Sequence, residues 1–263
     1  MSQALRYRLA SSLVLAPLVI AAIVLGRPWS LMLLVVLIVI LAWEWTSLTL
    51  GRIVPLALVA LIVGPLCAVL LASYGYWAWA PLALLLAGLC ARLPAGPSQV
   101  KREEAGWPLI GSFYIGLPCL AFLWLREGHA EGLSWTLWLI AVVWAVDVFA
   151  YLVGSRIGGP KLWPCLSPRK TWSGLLGGMT AGILVGTVGG VWIAPPPPWG
   201  LAVIAGCLGL IAQGGDLAES AIKRRFGVKD ASALIPGHGG LLDRVDGLLP
   251  ASIALALALW LGA

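Results

Sequence analysis

Apolar residues in this chain come in long runs, with polar residues clustered between them. The runs lie near 9–26, 29–50, 53–73, 76–91, 107–125, 134–154, 175–194, 199–219 and 248–262. A helix needs about 20 apolar residues to cross a bilayer, and most of these runs approach that length. The pattern predicts an all-α polytopic membrane protein with about nine transmembrane helices. The first run follows Arg6 and Arg8, lacks a convincing small-residue cleavage site and leads at once into a second run. It therefore reads as a retained span rather than a signal peptide.

The polar segments carry an orientation signal. Of the 17 lysines and arginines, all but Arg27 and Arg126 fall in segments 1–8, 51–52, 92–106, 155–174 and 220–247. With nine spans, these segments share one side. The positive-inside rule then predicts a cytoplasmic N-terminus and places the two long loops, 155–174 and 220–247, at the cytoplasmic face. The net charge of +6 belongs to that face. The charges set topology and attract anionic headgroups, or some of them bind phosphates. No RNA-binding or zinc-finger pattern occurs, so no nucleic-acid partner is expected.

Composition agrees with this picture. Of the 263 residues, 60% are hydrophobic and 11% charged, and mean hydropathy is +0.97. A soluble domain is roughly 25% charged. The five cysteines (Cys67, Cys90, Cys119, Cys165 and Cys207) form no CxxC pair and read as small buried hydrophobes. No internal repeat is evident. Residues 1–133 read as scaffold helices with lipid or dimer contacts. Residues 134–263 hold the two longest loops and the densest polar residues, and are the region where any chemistry would sit.

Ionisable residues inside spans are costly and usually functional. Glu44, in "LAWEWTSL", is either an interfacial residue in an aromatic belt or a functional one. Asp147 lies in a fully apolar neighbourhood and is expected to face a polar cavity or a cation. Asp216, Glu219, Ser220 and Lys223 are spaced i, i+3, i+4 and i+7, and so predict one polar helix face. Asp243 and Asp246 are three apart and predict a second acidic face at the start of the final helix. Gly237, Gly239 and Gly240 would permit a tight turn whose amides cradle a phosphate.

Carboxylates on neighbouring helices suit Mg²⁺, which takes one or two of them together with substrate phosphates. Lys223, Arg224, Arg225, Lys229 and Arg244 would match a triphosphate. His238 reads equally as a polar loop residue and as a phosphate donor or acid/base. The loop 154–174, with Arg156, Lys161, Ser167, Arg169, Lys170 and Thr171, could wrap phosphates or simply set topology.

The stretch "SAIKRRFGVKDASALIPGHGGLLDRVD" (220–246) resembles the signature of the phosphatidate cytidylyltransferases, or CDP-diacylglycerol synthases. That signature runs S-x-x-K-R-x-x-x-x-K-D, followed by P-x-H-G-G-x-x-D-R-x-D. Its fixed elements occur here as Ser220, Lys223, Arg224, Lys229, Asp230, Pro236, His238, Gly239, Gly240, Asp243, Arg244 and Asp246. "GDLAES" (215–220) and "DVFAYLVGSRIGGPKLWPCLSPRKTWSG" (147–174) are similar to the family's upstream elements, with departures at Val148, Ser155 and Ser173. The N-terminal half matches only in hydropathy, apart from the Glu44-Trp45 pair.

The resemblance implies an integral-membrane nucleotidyltransferase that makes CDP-diacylglycerol and pyrophosphate from CTP and phosphatidic acid. It implies an active site facing the cytoplasm in a bacterial-type inner membrane. By the same resemblance Asp216 and Asp243 hold Mg²⁺, with Asp246 and Asp147 close by, and a second, monovalent ion such as K⁺ accompanies it. Asp216, Asp243, Lys223, His238 and Asp246 form the implied catalytic set. Ser167, Lys170, Thr171, Ser220, Arg224, Lys229, Gly239, Gly240 and Arg244 are implied to contact CTP or the lipid phosphate. A homodimer amid membrane lipids is implied as well. The rivals are a CTP-dependent lipid (polyprenol-type) kinase and a non-enzymatic ion-coupled transporter using Asp147 and Glu44. A CDP-alcohol phosphatidyltransferase would need D-G-x-x-A-R, which is absent.

Overall fold

The computed structural model describes residues 3–93, 106–129, 131–190, 197–235, 237 and 239–262, with side chains from Ser11 onward except Ser12. Its helices are α1 (Gln3–Leu25), α2 (Trp29–Leu50), α3 (Pro55–Ser73), α4 (Ala80–Arg92), α5 (Trp107–Leu123), α6 (Gly132–Ile157), α7 (Trp172–Gly189), α8 (Pro198–Arg225), α9 (Leu242–Val245) and α10 (Leu248–Gly262). A 3₁₀ turn, Trp77–Trp79, precedes α4, and a π turn, Trp124–Gly128, follows α5.

Six helical segments are long and apolar enough to cross a membrane: Trp29–Leu50, Pro55–Ser73, Trp107–Gly128, Gly132–Ile157, Trp172–Gly189 and Pro198–Arg225. Leu13–Leu25, Trp77–Arg92 and Leu248–Gly262 are shorter apolar helices. The protein is thus a largely helical, polytopic membrane protein by length and composition. The loop 155–174 is more ordered than expected. Within it β1 (Lys161–Trp163) and β2 (Ser167–Thr171) form an antiparallel hairpin, with Lys161 opposite Thr171 and Trp163 opposite Ser167. The loop after α8 is shorter than the polar cluster implied, because α8 continues through Ser220 to Arg225. Its strongly basic end, Lys223–Arg225, suits the negative pole of the helix dipole. The cysteines are all free, and only Cys119 is buried, so the expectation of buried small residues holds at that position alone.

By packing, the chain forms two compact units. One comprises residues 1–123 and 226–244, the other 124–225 and 245–263. In the first, α3, α4 and α5 pack on one another, with α2 against α3 and α5 and α1 against α2. Leu34, Ile38, Leu41 and Trp45 of α2 are buried, as are Leu61 of α3, Leu84 of α4 and Ile115 of α5. Trp45 stacks on Tyr114 with ring centroids 4.9 Å apart, and its indole Nε1 donates to the Trp107 carbonyl at 3.0 Å. Gly111 makes this seat possible, since a Cβ there would lie 2.2 Å from Trp45 Nε1.

In the second unit, Trp135, Trp138, Leu139, Val142 and Val143 of α6 share a core with Leu201, Ala205 and Leu208 of α8 and with Ala251 and Leu255 of α10. α7 lies close on α6 because small residues recur every fourth position, which lets membrane helices approach backbone to backbone. A Cβ on Gly174 would sit 2.7 Å from the Ala150 carbonyl, and one on Gly178 2.6 Å from the Val146 carbonyl. Trp138 Nε1 closes the far end by donating to Gly186 O at 2.7 Å.

Candidate active site

The second unit gathers three carboxylates and a lysine. Asp147 comes from α6, Lys170 from β2, Gln213 and Asp216 from α8, and Asp246 from the turn between α9 and α10. Lys170 Nζ lies 2.7 Å from Asp216 Oδ2 and donates to Gln213 Oε1 at 3.2 Å. The Gln213 amide nitrogen donates to Asp147 Oδ1 at 3.1 Å. Ser220, one turn along α8, donates to Asp216 Oδ1 at 3.4 Å. Gln213 therefore links Asp147 to Lys170, presenting its oxygen to the ammonium and its nitrogen to the carboxylate.

Close backbone approach brings Asp246 to this group. A Cβ on Gly215 would sit 2.5 Å from the Asp246 carbonyl and 2.6 Å from Pro250 Cγ, so only glycine lets α8 lie against the start of α10 here. Burial first, and then the charges of Asp216 and Asp147, push the Asp246 carboxyl up to about 7, with the Gly247 amide and Lys170 opposing. Asp246 Oδ1 accepts from Gly247 N at 2.7 Å.

The hairpin is held in place by capping. Thr171, 4% exposed, is the N-cap of α7, and its hydroxyl accepts from Gly174 N at 3.1 Å. Ser173 donates to the Gly158 carbonyl. The cap and the α6–α7 packing together aim β2, and hence Lys170, at α8. Ser167 opens β2 opposite Trp163.

Lys223, expected to meet phosphates, is buried and ion-paired to Glu219 Oε2 at 2.5 Å, with Glu219 also buried. The i, i+4 face expected from the sequence is present, and its solvent-distal members pair with each other. Arg224 is exposed.

The cytidylyltransferase family profile matches residues 6–261. The chain belongs to the cytidylyltransferase family. It is 47% identical to a phosphatidate cytidylyltransferase of Brucella abortus over 156 residues, 59% of this chain and 58% of that protein. The phosphatidate cytidylyltransferase of Staphylococcus saprophyticus is 40% identical over 147 residues, 56% of this chain and 55% of its own length. That of Bacillus subtilis is 38% identical over 148 residues, with the same shares. The chain thus spans little more than half the length of the curated relatives it matches.

The remaining site candidates of this family member lie in the first unit. Among the described residues between α8 and α9, Ile235 and Gly239 exchange backbone hydrogen bonds at 2.8 and 3.2 Å, and Gly239 has φ +88°. Asp243 Oδ2 accepts from Gly240 N at 2.8 Å and from Ala231 N at 3.0 Å. The amides of Gly239 and Gly240 are therefore spent within the loop, not turned outward as a phosphate cradle. Lys229 and Arg244 are exposed. His238 and Pro236 lie outside the described residues.

A further correction concerns the paired aspartates. α9 ends at Val245, and a turn at Asp246–Gly247 separates it from α10. Asp243 and Asp246 do not share one continuous helix face. Gly247 breaks the helix, and a Cβ there would lie 3.1 Å from the Ala212 carbonyl.

Two residues carry more of the architecture than the sequence indicated. Gln213 could have been noticed as a lone amide three residues before Asp216 in an apolar run. Glu44 is fully buried. It accepts from Ser232 Oγ at 2.6 Å and Leu241 N at 2.8 Å on Oε1, and from Leu242 N at 2.7 Å on Oε2. It is a buried anchor for that loop.

Proposed function

We propose that this chain is a phosphatidate cytidylyltransferase: an integral-membrane nucleotidyltransferase that makes CDP-diacylglycerol and pyrophosphate from CTP and phosphatidic acid. The observation that carries the reading is the Asp147–Gln213–Lys170–Asp216 network beside Asp246, in a member of the cytidylyltransferase family. Nucleotidyl transfer needs alignment of two phosphates and neutralisation of their charge, and little covalent chemistry from the protein. A phosphate oxygen of phosphatidic acid forms a bond to the α-phosphorus of CTP, and the α–β bridging bond breaks to release pyrophosphate. Lys170 is the group in this network that neutralises phosphate oxygens. Gln213 fixes its direction, and Asp216 holds it until substrate enters.

The donor set fits Mg²⁺. Asp216 and Asp246 are hard oxygen ligands, and their mutual charge raises the Asp246 carboxyl. Among the described residues no three of His, Cys, Asp or Glu form a ready cage. Magnesium does not require one, since substrate phosphates and water complete its shell. When bound, it would neutralise charge on the triphosphate. Asp147 would stand behind these two, and an accompanying monovalent ion such as K⁺ is part of the same reading. Asp243 stays a ligand candidate by resemblance, and His238, Arg224, Lys229 and Arg244 stay phosphate-contact candidates on the same ground. The site would face the cytoplasm of a bacterial-type inner membrane, with the N-terminus on that side, about nine spans and a homodimeric assembly. In this reading residues 134–263 are the catalytic region.

The test gives purified protein phosphatidic acid and Mg²⁺ with CTP labelled at either the α- or the γ-phosphate. Label entering lipid from the α position only is the expected result. Label from the γ position would mean a lipid kinase. Solute flux in liposomes without CTP turnover would mean a transporter.

A further inference from the structure

We infer that Glu44, on the second helix of the chain, is a positioning residue for the loop 231–242. The proposal rests on the reading that this loop takes part in handling CTP. The case is one of donors and acceptors. Three hydrogen bonds reach the Glu44 carboxylate from residues 188 to 198 positions away, and all come from the same loop. Two are backbone amides, which can only donate. The position therefore needs a group that accepts on both of its oxygens, in a fully buried place where an unmet amide would be costly. A glutamine fits poorly. One end of its amide could replace Oε1, but its NH₂ would then face the Leu242 N–H, donor against donor.

The loop side shows the same fit. A Cβ on Gly240 would lie 2.6 Å from Glu44 Oε1, so the backbone passes close over the carboxylate at a residue without a side chain. The loop's other brace is separate. Asp243 ties Gly240 N to Ala231 N within the loop, whereas Glu44 ties the loop to α2. Asp243 thus shapes the loop and Glu44 holds it to the helix bundle of its unit. Trp45, next along α2, is held by Tyr114 and by the Trp107 carbonyl, and Trp107 in turn meets Phe226, the first loop residue, edge-on at 5.2 Å. Both ends of the 226–242 segment are therefore tied to the Glu44-Trp45 pair, one through polar and one through aromatic contacts. Pre-organising a loop removes the entropy cost of ordering it when ligand arrives. Glu44 should therefore act on nucleotide affinity without touching nucleotide.

The test compares the full-length wild type with Glu44→Gln and Ser232→Ala. Hydrogen exchange is followed without nucleotide, and initial rates are measured against CTP. In Glu44→Gln, exchange at the Leu241 and Leu242 amides is expected to rise at least about tenfold, the scale of one buried hydrogen bond to a charged acceptor. Exchange within α2 should stay as in the wild type. The KM for CTP should rise by a similar factor, with kcat at saturating CTP within about threefold of wild type, because bound nucleotide restores the loop's order. Ser232→Ala should move both readouts the same way by less, and it carries the test if Glu44→Gln does not fold. Unchanged exchange at Leu241 and Leu242 would overturn the inference. So would a fall in kcat with unchanged KM, the pattern of a smaller folded fraction. If the wild type turns over no CTP, the functional reading fails, while the exchange comparison still decides the role of Glu44.

Discussion

The two compact units partner their carboxylates in opposite ways. In the first, Glu44 and Asp243 are met by backbone amides and a serine hydroxyl, donors that belong to one loop. In the second, Asp147, Asp216 and Asp246 are met by an amide side chain, an ammonium and each other's charge. Amides fixed by the fold give a carboxylate permanent partners, and the result is a brace. Acids that crowd one another around a single ammonium are stabilised by any further cation, and the result is a site suited to taking up charge. Burial follows the same division: Glu44 and Asp243 are buried, Asp216 and Asp246 are half-buried, and Asp147 is exposed. The chemistry of the partners sets what each group can do.

The strongest break of this contrast is Asp216→Asn. It removes charge from the second unit's network while preserving shape. Turnover of α-labelled CTP is expected to fall by about 10³-fold, the scale of losing a group that stabilises transferring phosphate. Activity within threefold of wild type would remove the network from the reaction.

Asp243→Asn should come next. An asparagine oxygen in place of Oδ2 can still accept from Gly240 and Ala231, so loop exchange should match the wild type. Turnover then reads the lost charge alone. A loss of about 10²-fold is expected from the ligand assignment. Near-normal turnover would leave Asp243 a brace only.

Gln213→Leu keeps bulk and deletes the link between Asp147 and Lys170. A loss of roughly ten- to a hundredfold in kcat is expected, as for outer partners that orient a reacting group. An unchanged rate would show that Lys170 needs only Asp216.

The smallest effect is a slope. In the folded chain Asp246 is raised to about 7 from an ordinary 3.8. Between those values the folded chain keeps a proton that the unfolded chain has released, so the stability of metal-free protein should fall as pH rises from about 4 to about 7. Added Mg²⁺ should oppose the decline, and Asp246→Asn should flatten it. Thermal unfolding in detergent at several pH values would read both. A stability that rises over this window would contradict the crowding of acids on which the contrast rests.

The apolar runs were legible because lipid leaves little choice: a segment in hydrocarbon must satisfy its own backbone, which makes it a helix. Hydropathy placed most helices within a few residues. It missed the end of α8, where Ser220–Arg225 remain helical though polar. It also missed the β1–β2 hairpin, whose Gly- and Pro-rich sequence looks like loop. Spacing correctly put Asp216, Glu219, Ser220 and Lys223 on one face. It failed for Asp243 and Asp246 because α9 ends between them, at Val245.

The sequence by itself determined the membrane-spanning character, the family signature and which residues carry charge in unlikely places, since each follows from local composition or spacing. Only the tertiary structure decided what those charges do. Glu44 meets residues nearly 200 positions away, Gln213 stands between two charges from different elements, and the Gly240 amide donates to Asp243. A hydrogen bond depends on direction and distance between groups, and no linear pattern of residue types carries that information across a fold.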